Sequence, residues 1–250
     1  DRDPVKQGTT WRGIPVFDVK RYGAVGDGTT DDTAAFTAVF AAITAAGGGE
    51  LFMPKGDFKV SSSLQIPVLV STTHSGAGTR VTMRGSGADV SYITFTGTGF
   101  AVLIGDGGVN DARWVGIEDM TIRGSGANPA GGIKFNHSRL CSVRRCNIKD
   151  FGNAGSIGIS YITEEHNYFS IVEHCRIASV PTGIKMESAG SSGIGGNSNW
   201  IRNCQFGAHS TYAVHIDVTP SATVPSLAVV TAASVEVTKP RGATPRTATW

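Results

Sequence analysis

No run in this chain is apolar for long enough to cross a bilayer; the longest, around "SLAVVTAASV", is far shorter than a membrane-spanning helix needs. Basic clusters are missing too. The formal net charge is only +2, and no Lys/Arg run interleaved with aromatics occurs, which excludes a nucleic-acid footprint. Cysteine is scarce, at four residues, and Cys146, Cys175 and Cys204 recur once per repeat and not in the short-spaced pairs of a metal site, so no metal or cofactor is expected. Charged residues make up only 17% of the chain, whereas Gly alone contributes 33 of the 250 residues. That balance favours many short strands joined by turns over helical bundles. The polar start "DRDPVKQGTT" has neither an initiator Met nor an apolar leader core, so a processed, trimmed or renumbered start is expected.

One segment reads as a helix. Across residues 31–46, Phe36, Val39, Phe40 and Ile43 recur at i, i+3, i+4, i+7, and "GGG" at 47–49 stops the pattern. Just before it, "GAVGDGTTDDTAAF" places Asp27, Asp31 and Asp32 close together, a spacing that invites a calcium reading. Helix chemistry explains it better: Thr30 is the expected N-cap, and Asp31 and Asp32 the expected first-turn carboxylates facing the helix dipole. On that reading, replacing both aspartates with Asn costs modest stability.

The remainder repeats. "VRRCNI" (143–148), "VEHCRI" (172–177) and "IRNCQF" (201–206) share the template apolar-x-x-Cys-x-apolar, and "IEDMTI" (117–122) fits with Met120 in the Cys place. A second track runs between them: "GIKF" (132–135), "GISY" (158–161), "GIKM" (183–186) and "AVHI" (213–216). Each coil therefore carries at least two strands, the pattern of a parallel β-helix whose coils bury their inner faces on one another. "RVTMRG" (80–85) and "FAVLIG" (100–105) are expected earlier coils. A leucine-rich repeat of similar period would show a leucine consensus and an asparagine ladder, and neither is expected here. Cys146, Cys175 and Cys204 fall at one inward position and read as a stack of small apolar side chains. Cys141 lies outside that register and is expected to be a free surface or turn thiol.

Residues 17–60, "FDVKRYGAVGDGTTDDTAAFTAVFAAITAAGGGELFMPKGDFKV", resemble the N-terminal signature of the pectate-lyase-like superfamily, which includes polygalacturonase-like enzymes and bacteriophage tailspikes. The resemblance implies an all-β, right-handed parallel β-helix with an N-terminal capping helix. It does not extend to the polygalacturonase catalytic motifs (Asn-Thr-Asp, a paired Asp-Asp, Gly-His-Gly and Arg-Ile-Lys), none of which occurs in order. Asp31 and Asp32 belong to the helix, and His209 lacks flanking glycines. Pectin hydrolysis by that mechanism is not expected.

Strand alternation sends Ile184, Met186, Val214 and Ile216 inward, and Lys185, Glu187, His215 and Asp217 outward. Coils stack about 4.8 Å apart, so Glu187 and Asp217 become neighbouring carboxylates, able to divide acid and base or nucleophile roles, with Lys185 and His215 beside them. Lys134, Ser160 and Asn136 continue this polar strip, which suits an extended glycan. The plain alternative is a set of solvent-facing cross-strand pairs contributing about 0.2–1 kcal/mol each. Further binding candidates are Glu164, Glu165 and His166 in the loop "TEEHNY", and Trp200, Tyr212 and Trp114, whose flat faces either stack on sugars or pack turns.

The expected organisation is an arm, strand and capping helix over 1–60, coils over 61–218, and a C-terminal cap or oligomer contact over 219–250, where Pro220, Pro225, Pro240 and Pro245 break the register. The resemblance implies a tailspike-like protein that binds, and in a catalytic form depolymerises, bacterial surface polysaccharide. It implies a homotrimer in contact with other virion proteins and a virion or extracellular location. The alternatives are a glycan-binding or structural virion protein and a secreted polysaccharide hydrolase or lyase.

Overall fold

The computed structural model describes residues 9–11, 14–69, 80–106, 112–125, 129–163, 167–188, 199–218 and 236–238. The chain winds as a parallel β-helix with three long faces. The first face stacks Ile14–Asp18, Gly49–Met53, Val81–Gly85, Gly116–Glu118, Ser142–Arg144, Ile171–Glu173 and Trp200–Arg202, with Thr9–Trp11 antiparallel at its edge. The second stacks Asp27–Asp31, Gly56–Val60, Ser91–Phe95, Thr121–Gly124, Asn147–Lys149, Arg176–Ala178, Gln205–Gly207 and Glu236–Thr238. The third stacks Leu64–Gln65, Gly99–Ile104, Pro129–Phe135, Ile157–Thr163, Thr182–Ser188 and Tyr212–Val218. A short fourth ladder joins Ala112–Arg113, Ser138–Arg139 and Asn167–Tyr168. Strands Gly49–Met53 and Gly56–Val60 already pair with later coils, so stacking begins ahead of residue 61. Of residues 219–250, the described piece Glu236–Thr238 adds a strand beside Gln205–Gly207.

The six-residue template crosses a corner. In "VEHCRI", Val172 faces inward from the first face, His174 takes left-handed backbone at φ 53°, Cys175 fills the corner, and Ile177 faces inward from the second face. Asp119, Arg145 and Asn203 turn the equivalent corners with φ of 58°, 50° and 49°. One left-handed residue bends the chain enough to end one strand and start the next, which is why what reads as a single segment is two short strands.

Inward columns carry the stability. Leu51, Met83, Ile117, Val143 and Val172 are fully buried on the first face, as are Ile93, Ile122, Ile148 and Ile177 on the second. Burying each such side chain contributes about 1.5–3 kcal/mol before chain entropy is counted. A one-residue slip would turn a whole column to solvent, so the apolar pattern fixes the register. The glycines that open the second track have a packing reason. A Cβ on Gly158 would meet the Gly183 carbonyl oxygen at 2.6 Å, so the third-face strands approach too closely there for a side chain.

Cys146, Cys175 and Cys204 are buried, their thiols donating to the carbonyls of Ile117, Val143 and Val172. Contact with the Cys146 side chain, with burial added, raises the Cys175 thiol well above its ordinary value, which keeps it protonated and unreactive. Cys141 departs from expectation. It forms no disulfide and is buried, at 1% exposure, its thiol donating to Ala112 O. It heads a column of its own: Ser170 donates its backbone N–H to Asn199 Oδ1, Asn199 Nδ2 donates to Asn167 O, and Cys141 N–H donates to Ser170 Oγ. A short mixed ladder of Cys, Ser and Asn therefore runs along this corner, hidden in the sequence because its members differ in residue type from coil to coil.

The helix spans Thr33–Ala45, with Phe36, Val39, Phe40 and Ile43 buried and Phe36 edge-on to Phe58 at 6.0 Å between ring centroids. Gly48 N–H bonds Ile43 O and Gly47 N–H bonds Thr44 O, with Gly47 left-handed at φ 70°, the paired bonds of a Schellman stop. Its start corrects the sequence reading. Asp32 is the N-cap, makes no side-chain cap bond, and no acid lies in the first turn. Asp27 instead accepts from Thr29 N–H, Thr30 N–H and Thr30 Oγ1, and Asp31 accepts from Thr33 N–H and Oγ1 and from Ser61 Oγ.

These bonds hold the Asp27 carboxyl well below the carboxylate range and pull Asp31 down to about 2 from 3.8, with Ser61 and Thr33 the largest causes for the latter. The unfolded chain then binds more protons than the folded one as pH drops below 4. The stability from these bonds is present above about pH 4 and lost as pH falls towards 2. The urea midpoint is expected to drop between pH 5 and 2.5, and to drop less in an Asp27→Asn, Asp31→Asn double variant. Parallel pH profiles for the two proteins would show that the loss arises elsewhere.

Candidate functional site

On the third face, register places Lys134, Ser160, Lys185 and His215 at one position of successive coils, and Ile162, Glu187 and Asp217 at the next outward one. Between them, Phe135, Tyr161 and Met186 point into the core, with the Phe135 and Tyr161 rings stacked at 4.3 Å and 8°. Tyr161 is fully buried, which pushes its hydroxyl well up in pKa and keeps it out of surface chemistry. Rigid, closely stacked strands thus hold the outward side chains at fixed intervals along the solenoid.

Lys185 Nζ and Glu187 Oε2 form an ion pair at 2.7 Å on the same strand, both side chains partly exposed. One coil on, the His215 ring stacks on Tyr212 at 4.5 Å and 20°, and Tyr212 is 48% exposed. An ammonium, a carboxylate, an imidazole and an exposed phenol ring therefore share a small area. This set supplies charged donors and acceptors for hydroxyl or carboxylate groups, a proton carrier, and a flat face for a sugar ring. Lys134 and Asn136 are half-buried farther back along the face.

Two expectations change here, and one aromatic candidate stands elsewhere on the surface. Ser160 is fully buried, its hydroxyl without a hydrogen-bond partner, so it offers nothing to a ligand; its short side chain lies between the long stems of Lys134 and Lys185. Ile216 is 40% exposed although its position is an inward one, because Tyr212–Val218 is the last strand of this sheet among the described residues. Trp200 does not join the strip. It stands on the first face, 6.3 Å from Phe169, with the Arg202 guanidinium 5.7 Å over its ring. The Asp217 side chain and residues Glu164, Glu165 and His166 lie outside the described residues. Among the described residues no group of three or more His, Cys, Asp or Glu is placed to hold a metal ion.

The sequence reading also missed a charge ladder. Arg84, Glu118, Arg144, Glu173 and Arg202 occupy one outward position of successive first-face strands, alternating in sign. Arg144 Nε pairs with Glu173 at 2.7 Å, Arg84 reaches back to Glu50 at 2.5 Å, and Arg145 bridges Glu118 at 3.0 Å and Asp119 at 2.6 Å. Its signal is the second residue of each six-residue template. Its ion pairs tie neighbouring coils together along the first face.

Comparison with known proteins agrees with the resemblance seen in the N-terminal segment. Residues 16–88 match the family model "Rhamnogalacturonase A/epimerase, pectate lyase-like". Over 124 residues the chain is 32% identical to the mannuronan C5-epimerase AlgE2 of Azotobacter vinelandii, covering 47% of this chain and 12% of that protein. Over 110 residues it is 32% identical to the pre-neck appendage protein of Bacillus phage B103, covering 43% of this chain and 11% of the other. The chain thus spans about a tenth of the length of these curated relatives. Among solved structures, Geobacillus virus E2 ORF18 superposes with a TM-score of 0.65 at 20% identity, over 82% of this chain and 40% of that one, a likeness of fold.

Proposed function

We propose that this protein is a tailspike-like, polysaccharide-binding β-helix of a phage appendage, with the third-face strip around Lys185, Glu187, Tyr212, His215 and Asp217 as its glycan contact. The observation that carries this reading is the stacking of those outward positions on consecutive coils of one rigid sheet. Such an array presents repeated polar groups to a repeating polymer. The phage appendage relative and the viral structural neighbour support the virion setting. In the catalytic version, Glu187 and Asp217 divide the acid and base or nucleophile roles, and Lys185 neutralises an acidic sugar. A secreted enzyme acting on uronic-acid polymers is the second reading, favoured by the family model and the epimerase relative.

The test is a panel of bacterial capsular polysaccharides, exopolysaccharides and alginate, read for binding, reducing ends and unsaturated products. Glu187→Gln and Asp217→Asn are each expected to abolish oligosaccharide release, and unchanged turnover in both rejects the catalytic assignment. Binding without product on long incubation, lost in Lys185→Ala and His215→Ala, would support a pure binding module. Sedimentation at monomer mass would count against the trimeric tailspike arrangement and favour the secreted enzyme.

A further inference from the structure

Away from the third face, the short fourth ladder meets the first face at a corner with a different kind of surface. Trp114, Leu140 and Phe169 occupy that corner on three successive coils. All three have left-handed backbone, with φ of 58°, 56° and 53°. All three are exposed, at 47%, 40% and 48%. The corner geometry does not call for such residues, since left-handed backbone favours Asn, Asp and Gly, and the neighbouring corner uses Asp119, Arg145, His174 and Asn203. A column of exposed large apolar side chains at such positions marks a candidate binding surface.

An open groove of about 590 Å³ runs along this column, and among the described residues the charged side chains lining it are Arg80 and Arg144. The Arg80 side chain is half-exposed, 3.9 Å from Glu118, and Arg144 is anchored through Nε to Glu173 at 2.7 Å. The two arginines thus present guanidinium groups to the groove, each with a carboxylate behind it, and Trp114, Leu140, Phe169 and Ile171 give the groove its apolar wall. Coils advance by about 4.8 Å, close to the length of one pyranose ring along a glycan. Sugar faces pack on aromatic and aliphatic side chains, and guanidinium groups pair with carboxylate or sulfate substituents.

We propose that this corner groove is a second glycan-binding site, selective for a linear acidic polysaccharide. Successive sugar rings lie over Trp114, Leu140 and Phe169, and acid groups meet Arg80 and Arg144. The inference shares only its ligand class with the function proposed above, since the groove and the third-face strip are built from different strands.

The experiment is affinity electrophoresis of the full chain in gels containing polymannuronate or polygalacturonate, with neutral dextran as control. A Trp114→Asn, Phe169→Asn double variant is expected to bind the acidic polymers at least about tenfold more weakly, the factor equivalent to 1.4 kcal/mol. Asparagine accepts left-handed backbone, so the variant's thermal midpoint should equal or exceed that of the parent. Arg80→Ala, which leaves the corner intact, should weaken binding and flatten its dependence on salt. Retention lost in a Lys185→Ala, His215→Ala variant but untouched by the groove variants would overturn this site and leave the third-face reading standing. Absence of retention by either acidic polymer, or equal retention by dextran, would also overturn it. So would conversion of an oligomer to monomers in the groove variants, which would make the corner a subunit contact.

Discussion

Asn167→Ala is expected to lower folding stability by about 3 kcal/mol, read as a shift in the urea midpoint at unchanged slope. Asn167 is fully buried, and its Oδ1 accepts from Ser138 N–H at 3.0 Å and Ser138 Oγ at 2.6 Å, while its Nδ2 donates to Phe135 O at 3.2 Å. Alanine removes all three bonds and strands a buried N–H and a buried carbonyl, each costing about 1–3 kcal/mol when left unmade. Against a typical total of about 5–15 kcal/mol, that is a large share. A loss below about 1 kcal/mol would mean that water or a repacked neighbour takes over the bonds. Asn199 occupies a related place, donating to Asn167 O at 2.9 Å, so the double variant should fall short of additivity.

Asp32→Asn is expected to cost about 2–3 kcal/mol, although it changes one atom. Asp32 is 2% exposed, and its two carboxylate oxygens accept from Val25 N–H at 2.7 Å and Gly26 N–H at 3.1 Å. An amide can accept only one of these bonds and turns its own NH₂ towards the other donor. Asp31→Asn, at an exposed position, should cost less, because water can replace what is lost. Near-equal destabilisation by the two variants would return Asp32 to the helix-dipole role read from the sequence. The expectation of a modest cost for the pair is therefore revised by one residue of the two.

How much of this was legible follows from what each position had to satisfy. Phe36, Val39, Phe40 and Ile43 announced the helix, and Gly47 to Gly49 its end, because periodicity and a left-handed stop are local properties. Thr30, Asp31 and Asp32 were misassigned because the partners that decide their roles, Ser61 and the backbone of residues 25–26, come from elsewhere in the fold. Within the candidate site, the alignment of Lys185 with His215 was readable from strand alternation. The burial of Ser160 between two lysine stems was not, since it depends on the lengths of side chains one coil away.

The repeat itself determined the β-helix: inward positions all answer to one demand, apolar volume, so Val143, Val172 and Ile201 look alike and Cys146, Cys175 and Cys204 are identical. Outward and corner positions answer to their neighbours instead. Cys141, Ser170 and Asn199 form one hydrogen-bonded column, and Arg144, Glu173 and Arg202 one charge column, with no residue type repeated from one coil to the next. Trp114, Leu140 and Phe169 likewise make one surface from three different side chains. Only the stacking of coils decided these columns, because complementary partners need not resemble each other, and hydrogen bonding, ion pairing and shared exposure act across the gap between coils and not along the chain.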